Sequence, residues 1–254
     1  SALETAFERL STGKRINSAS DDAAGLAIAT DLNSRVSGLN QAVRNVNDGI
    51  SMVQIVEGTY DEVTSILQRM RDMAVQAANG SLTSTEQGYL ETEQTALQTA
   101  LGEALNQATF GSTNLYVGSS ASIVAISIQA GANTGDAVSI NLTSAGVANA
   151  SGLGITAIDL SSAASAAIGL VDTALTSVAT QRAQLGAYQA QLESTVRNLS
   201  NVAENTAAAA GRIMDTDYAA ETANLTKAQI LQQAATSVLA QANAQPQAVL
   251  SLLQ

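Results

Sequence analysis

The chain has no cysteine, no histidine, no tryptophan, one proline and two phenylalanines in 254 residues. Without cysteine there are no disulfides, no thiol catalysis and no thiolate metal sites. Without histidine the commonest general base and metal ligand is gone. Aromatics make up 3% of a chain that is 46% hydrophobic, so the rings that usually dominate a core are scarce. Ala, Leu, Val and Ile must fill the interior instead, and because each buries little area, stability has to be spread along a long seam. Basic residues are few, with no Lys or Arg between Arg71 and Arg182 and a net charge of −11. Nucleic-acid binding depends on clustered cations that displace counterions, and this balance argues against it. The acidity favours solubility by self-repulsion. No stretch approaches the roughly 18 apolar residues of a membrane span. Ser1-Ala2-Leu3-Glu4 reads as amphipathic helix rather than a signal peptide, so secretion would require a dedicated export route.

Length alone leaves one large domain or two small ones open. What is present in quantity is helical periodicity at both ends. Leu32, Val36, Leu39, Val43, Val46, Ile50, Val53, Val56, Tyr60, Val63, Leu67 and Met70 follow steps of three and four, the spacing of a seam packed knobs-into-holes. Two consecutive three-residue steps at Ile50-Val53-Val56 locally overwind such a seam. This predicts a helix over about 23–78, stopped at Asn79-Gly80-Ser81. Val171, Leu175, Val178, Leu185, Tyr188, Leu192, Val196, Leu199 and Val202 give a second stripe, with Arg182 on it. Neither stripe can be buried alone, so the two ends must meet and the middle must loop out. Between them, Ser84-Thr85-Glu86-Gln87 has the spacing of a capping box and opens a helix carrying Leu90, Leu97, Leu101 and Leu105.

The period changes after Gly111. Val124, Ile126 and Ile128, then Val138, Ile140 and Leu142, alternate as strands do, with a turn-rich stretch between. A Gly/Ser/Ala loop at 144–162 follows and reads as the most replaceable part of the chain. A last helix begins after Asp215-Thr216-Asp217 and carries Leu225, Ile230, Leu231, Val238 and Leu239. Beyond Pro246 lie Val249, Leu250, Leu252 and Leu253, an apolar end that wants a partner surface. The fold class expected is mainly α: an elongated antiparallel helical bundle or coiled coil built from both chain ends, with a small β-hairpin subdomain in the middle.

The stretch Leu10-Ser11-Thr12-Gly13-Lys14-Arg15-Ile16-Asn17-Ser18-Ala19-Ser20-Asp21-Asp22 and its continuation to Ile28 resembles the signature of bacterial flagellins. Asn47-Asp48-Gly49-Ile50-Ser51, the segment 68–76, Phe110-Gly111-Ser112-Thr113-Asn114-Leu115 and the segment 128–133 resemble further motifs of that family. Asp217-Tyr218-Ala219, residues 229–234 and residues 236–253 do so at the far end. The resemblance covers nearly everything except 144–162. It implies a subunit that is exported unfolded, polymerises into the extracellular filament, and serves motility. It implies self-association as the main partnership, with an export chaperone, a cap protein and, for some members, a host innate-immune receptor as others. It further implies a remnant of the inner-tube helix and linker at 1–22, a helical rod from 23–110 with 163–210, an outward β segment at 111–162, and a C-terminal inner-tube helix at 211–254. The chain is expected to start inside the family's N-terminal helix, without a short upstream stretch, and so to polymerise weakly and leave its C-terminal tail unpaired.

Candidate contact residues follow from the same comparison. Gln68, Arg69, Arg71 and Met73 correspond to a motif that packs against a neighbouring subunit or a receptor. Leu225, Ile230, Leu231, Val238, Leu239, Val249, Leu250, Leu252 and Leu253 are the expected polymerisation contacts. Asp21-Asp22 and Asp215-Thr216-Asp217 could suggest a hard-cation site, but helix capping and dipole complementarity explain acids at helix starts without a ligand, and no metal is expected. No cofactor is implied. The zinc-peptidase insert of some family members needs a His-Glu-x-x-His motif that this chain lacks, and no other pattern suggests a pocket of tuned acids and bases. Alternatives are a hook–filament junction protein, a surface adhesin or ligand-binding module using the β middle, and a membrane-bound amphipathic helix. The last lacks the lysines that attract anionic lipid.

Overall fold

The computed structural model describes residues 2–116, 124–143 and 151–252. Two helices dominate them, α2 at Ala23–Ala77 and α4 at Ala164–Met214, with α1 at Ala2–Thr12, α3 at Ser84–Gln107 and α5 at Tyr218–Leu252. At 1.5 Å per residue the 55 residues of α2 extend over roughly 80 Å. Contacts divide the chain into two compact units, one formed by Ser1–Ser37 with Val202–Gln254 and the other by Gly38–Asn201. Both divisions fall inside α2 and α4.

In the larger unit α2 and α4 run antiparallel, since Arg71 meets Asp172 while Glu57 and Asp61 meet Arg182. The predicted stripe is the buried face of α2, with Leu39, Val46, Val53, Val56, Tyr60, Val63, Leu67 and Met70 all inside. Alanines 42, 74 and 77 on α2, and 167 and 174 on α4, are buried with them, as close helix approach requires. On α4, Val171, Val178, Leu185, Leu192 and Leu199 face inward, but Val202 is 42% exposed and Ala203 is buried in its place. The phase of a 3.6-residue helix drifts against a seven-residue repeat, which moves the inward position by one at the end of the stripe. The scarce aromatics are concentrated: Tyr60 and Tyr116 meet edge to face at 5.6 Å, and the Tyr116 hydroxyl donates to the Val56 carbonyl at 3.3 Å. Burial pushes both phenols above the ordinary tyrosine range.

The capping box of α3 sits one residue earlier than its spacing suggested. Thr83 is the N-cap, its hydroxyl accepting from the Glu86 amide while Glu86 accepts from the Thr83 amide. The β-branched Thr83 supports the extended backbone an N-cap needs, which Ser84 cannot adopt from inside the first turn.

Two hairpins occupy the middle. A short one pairs β1 (Thr109–Phe110) with β2 (Thr113–Asn114), and the larger pairs β3 (Val124–Gln129) antiparallel to β4 (Ala137–Thr143). Ile128, Ile140 and Leu142 turn their side chains inward. Ile128 lies over Gly49 of α2: a Cβ built on Gly49 would stand 2.0 Å from its Cδ1. Asn45 donates to the Gln129 carbonyl at 3.2 Å and Gln181 to the Leu142 carbonyl at 3.2 Å, tying the hairpin to both long helices. Gly49 therefore answers to packing.

The segment expected to be a replaceable loop is only partly so. Residues 144–150 lie outside the described residues, but Leu153, Ile155, Ile158 and Leu160 are at most 5% exposed. They flank a turn of 3-10 helix at Ile155–Ala157. Gln98 donates to the Ile155 carbonyl at 2.8 Å, and Glu91 accepts from the Leu160 amide at 2.7 Å. This strap covers α3, which has few buried residues of its own, and its aliphatic side chains carry that burial despite the Gly/Ser-rich context. The C-terminal helix α5 runs through Pro246 to Leu252. An interior proline removes one backbone bond and strains the turn before it, yet here does not end the helix.

Replacing Ile155 with alanine should destabilise the chain by about 2–4 kcal/mol, as core truncations do, whereas Val202→Ala should cost under about 1 kcal/mol. Chemical denaturation followed by circular dichroism distinguishes them, and equal effects would show that the strap is peripheral. Gly49→Ala should cost about 1–3 kcal/mol by forcing Ile128 off its seat, with loss of amide protection in β3 before α2.

Candidate assembly surface

In the smaller unit α1 packs on α5. Arg9 of α1 reaches Glu221 of α5, Nη1 to Oε2 at 3.9 Å, and Glu221 is only 7% exposed. An open groove of about 390 Å³ runs beside the pair, lined by Ala2, Thr5, Ala6, Asn224, Lys227, Ala228 and Leu231 among others. After α1 the chain turns at Gly13, whose φ of 70° is a left-handed value that glycine tolerates best. There it is clasped to the end of α4 and the short link that leads into α5. Arg15 donates its amide to the Met214 carbonyl at 2.6 Å, Thr216 donates to Gly13 at 3.0 Å, and Arg15 Nη2 reaches the Ile213 carbonyl at 2.8 Å.

The acids weighed as metal ligands are engaged as caps and loop anchors. Asp22 accepts from the Gly25 amide at 2.9 Å in the first turn of α2, and Asp217 accepts from the Ala219 amide at 2.9 Å in the first turn of α5. Asp21 gathers the Asn17 amide at 3.1 Å and the Ser18 amide at 2.9 Å, and these donors hold its carboxyl below the usual range. Among the described residues no group of three or more His, Cys, Asp or Glu is placed to hold a metal ion.

Past Lys227 the chain has no charged residue to its end, and α5 presents Ile230, Leu231, Val238 and Leu239 at 60%, 59%, 66% and 61% exposure. Leu225 is half-buried. The spacing 230, 231, 238, 239 puts these four on one face. Side chains from 243 onward, including Val249, Leu250 and Leu252, are outside what is described, and Leu253 lies beyond it entirely. In the larger unit the four residues of the 68–73 motif do not share a surface. Gln68 and Arg69 are exposed, Arg71 is half-buried and Met73 is fully buried. Arg69 pairs with Glu93 of α3 at 2.6 Å and Arg71 with Asp172 of α4 at 2.7 Å. The helix turns Met73 inward along the row of Leu67, Met70 and Ala74, so it belongs to the core. Periodicity missed Arg9 and Glu221 because nothing local links residues so far apart in sequence.

Residues 1–121 match the family profile described as the bacterial flagellin N-terminal helical region, and residues 168–253 match its C-terminal counterpart. A flagellin of Halalkalibacterium halodurans is 42% identical over 253 residues, spanning 99% of this chain and 92% of that protein. Flagellin FlaB2 of Treponema pallidum is 37% identical over 265 residues, covering 100% and 93%. Among solved structures, Bacillus cereus flagellin superposes with a TM-score of 0.52 at 25% identity, covering 66% of this chain and 94% of that one. A putative flagellar hook-associated protein from Vibrio parahaemolyticus gives 0.62 at 18% identity, covering 77% and 100%, a likeness of fold alone.

Hydrogen bonds lower the Asp21 and Glu86 carboxyls relative to the unfolded chain. Their contribution is therefore present above an unfolded value of about 4 and is lost as pH falls below it. Protection of the Asn17 and Ser18 amides against hydrogen exchange, taken relative to an unstructured peptide at the same pH, should fall below about pH 4, and Asp21→Asn should abolish that acid step; an unchanged step in the variant would assign it elsewhere.

Proposed function

The chain belongs to the bacterial flagellin family and is a structural subunit of the flagellar filament, and on that footing we propose that the exposed aliphatic face of α5 makes the contacts between subunits. The observation that carries this is the uncharged α5 surface with Ile230, Leu231, Val238 and Leu239 each about 60% exposed. A neighbour covering such side chains gains on the order of 1 kcal/mol at each, and repetition along a polymer multiplies a modest gain. Val249, Leu250, Leu252 and Leu253 extend the same apolar run in sequence and are assigned to the same contact. Residues 1–22 and 211–254 form the inward-facing part of the subunit, with 23–110 and 163–210 as the rod and 111–162 outermost.

The filament is extracellular, and export unfolded through the flagellar secretion channel, with a chaperone before passage and a cap protein at the growing tip, completes this reading. Gln68 and Arg69 supply a smaller polar contact, either to a neighbouring subunit or to a host receptor. Arg71 serves chiefly inside the subunit, through Asp172. The junction-protein and adhesin readings have no comparable support: the relatives at 35–42% identity are flagellins, and the hook-associated neighbour shares the fold only.

Leu231→Asp with Leu239→Asp, introduced into the chromosomal gene of the source bacterium, should leave the protein exported and helical but abolish filaments. Electron microscopy of cells and immunoblots of spent medium report the two halves of that expectation. Normal filaments from the double variant would overturn the assignment of α5.

A further inference from the structure

We propose that Asn79 is a site of spontaneous backbone modification, ageing to aspartate and isoaspartate through a cyclic imide formed with Gly80. The pair lies in the turn between α2 and α3, outside both helices, and both residues are exposed. The reaction needs the amide nitrogen of the following residue free, unhindered and able to reach the side-chain carbonyl. Gly80 meets each condition. Its amide makes no hydrogen bond among the described residues, while its neighbours do: Asn79 donates to Gln76 at 3.1 Å and Leu82 to Asn79 at 3.2 Å. A Cβ on Gly80 would touch nothing within 4 Å, so the turn has room to move. The Ser81 amide donates to Asn79 Oδ1 at 3.3 Å. That contact lies on the oxygen that becomes negative when Cγ is attacked, as a donor stabilising an oxyanion does.

The step balances without a cofactor. The Gly80 nitrogen loses its proton and bonds to Asn79 Cγ, the Cγ–Nδ2 bond breaks, and Nδ2 departs as ammonia. Water then opens the ring. Cleavage at Cγ leaves an ordinary aspartyl linkage, and cleavage at the α-carbonyl carbon sends the backbone through Cγ, inserting a methylene into the turn. Either product places a carboxylate just beyond the carbonyl end of α2, where the helix dipole disfavours it, and ahead of α3, where it is favoured.

The fold itself supplies the controls. Asp48-Gly49 could form the same imide, but both residues lie inside α2 with Gly49 packed against Ile128. Asn17-Ser18 is exposed, yet the Ser18 amide is held by Asp21 at 2.9 Å. Reactivity should therefore concentrate at position 79 for as long as the chain is folded.

The test is incubation of the full chain in mildly alkaline buffer, folded and in denaturant, followed by peptide mapping and labelling with an isoaspartyl methyltransferase. In the folded chain Asn79 should convert about tenfold or more faster than Asn17 or Asp48, with isoaspartate the larger product; in denaturant Asp48 should join it. Gly80→Ala should slow conversion about tenfold, because a side chain restricts the backbone, while circular dichroism shows helicity retained. An Asn79 that survives in the folded chain, that reacts no faster than Asn17, or that reacts equally fast beside alanine would overturn the proposal.

Discussion

Everything in this subunit depends on two helices distant in sequence burying each other's small side chains. Alanines take seam positions that a larger residue would hold apart, and Leu, Val and Ile interleave between them. The contact is long because it is shallow: each position contributes little, so tens of residues must act together. A cooperative seam of this kind needs no aromatic centre. The two tyrosines that do meet, Tyr60 and Tyr116, mark where the middle of the chain is fastened to the long helix.

Around this seam polar groups set register more than they add stability. Arg182 bridges Glu57 and Asp61, at 3.2 and 2.8 Å, while its stem lies along the stripe. Half-exposed ion pairs are individually worth little, but in a uniform stripe of aliphatic residues they distinguish one alignment of the helices from its neighbours one turn away. The Asn45 and Gln181 side chains do the same for the β3–β4 hairpin by reaching its backbone carbonyls. Arg9 and Glu221 are the corresponding pair in the smaller unit.

The long helices and the strand pairs were readable in advance because burial there follows a strict period. Leu39 to Met70 and Ile128 with Ile140 announce their faces by spacing alone. Reading failed where burial is imposed from outside the element. Leu153, Ile155, Ile158 and Leu160 sit among glycines and serines and are buried only because α3 lies beneath them. Val202 and Ala203 exchange roles because the phase of the helix, not the identity of the residue, decides what faces inward. Met73 was grouped with Gln68 and Arg69 by family motif, though it is fully buried while they are exposed. The exposed face of α5 could be named from its residues, but its solitude could not: the same Ile230 and Leu231 would have read identically in a buried helix.

The clasp at Gly13 has a consequence for the order of events during folding. Arg15 bonds to Met214 and Gly13 to Thr216, so the turn after α1 finds its long-range backbone partners among residues from the last fifth of the chain. Closure of so large a loop comes late, since its entropy must be met before the contacts reward it. In a chain synthesised amino end first, the clasp therefore stays open until residues 213–216 have emerged, and the smaller unit closes after the larger one has all its strands and most of its helices in hand.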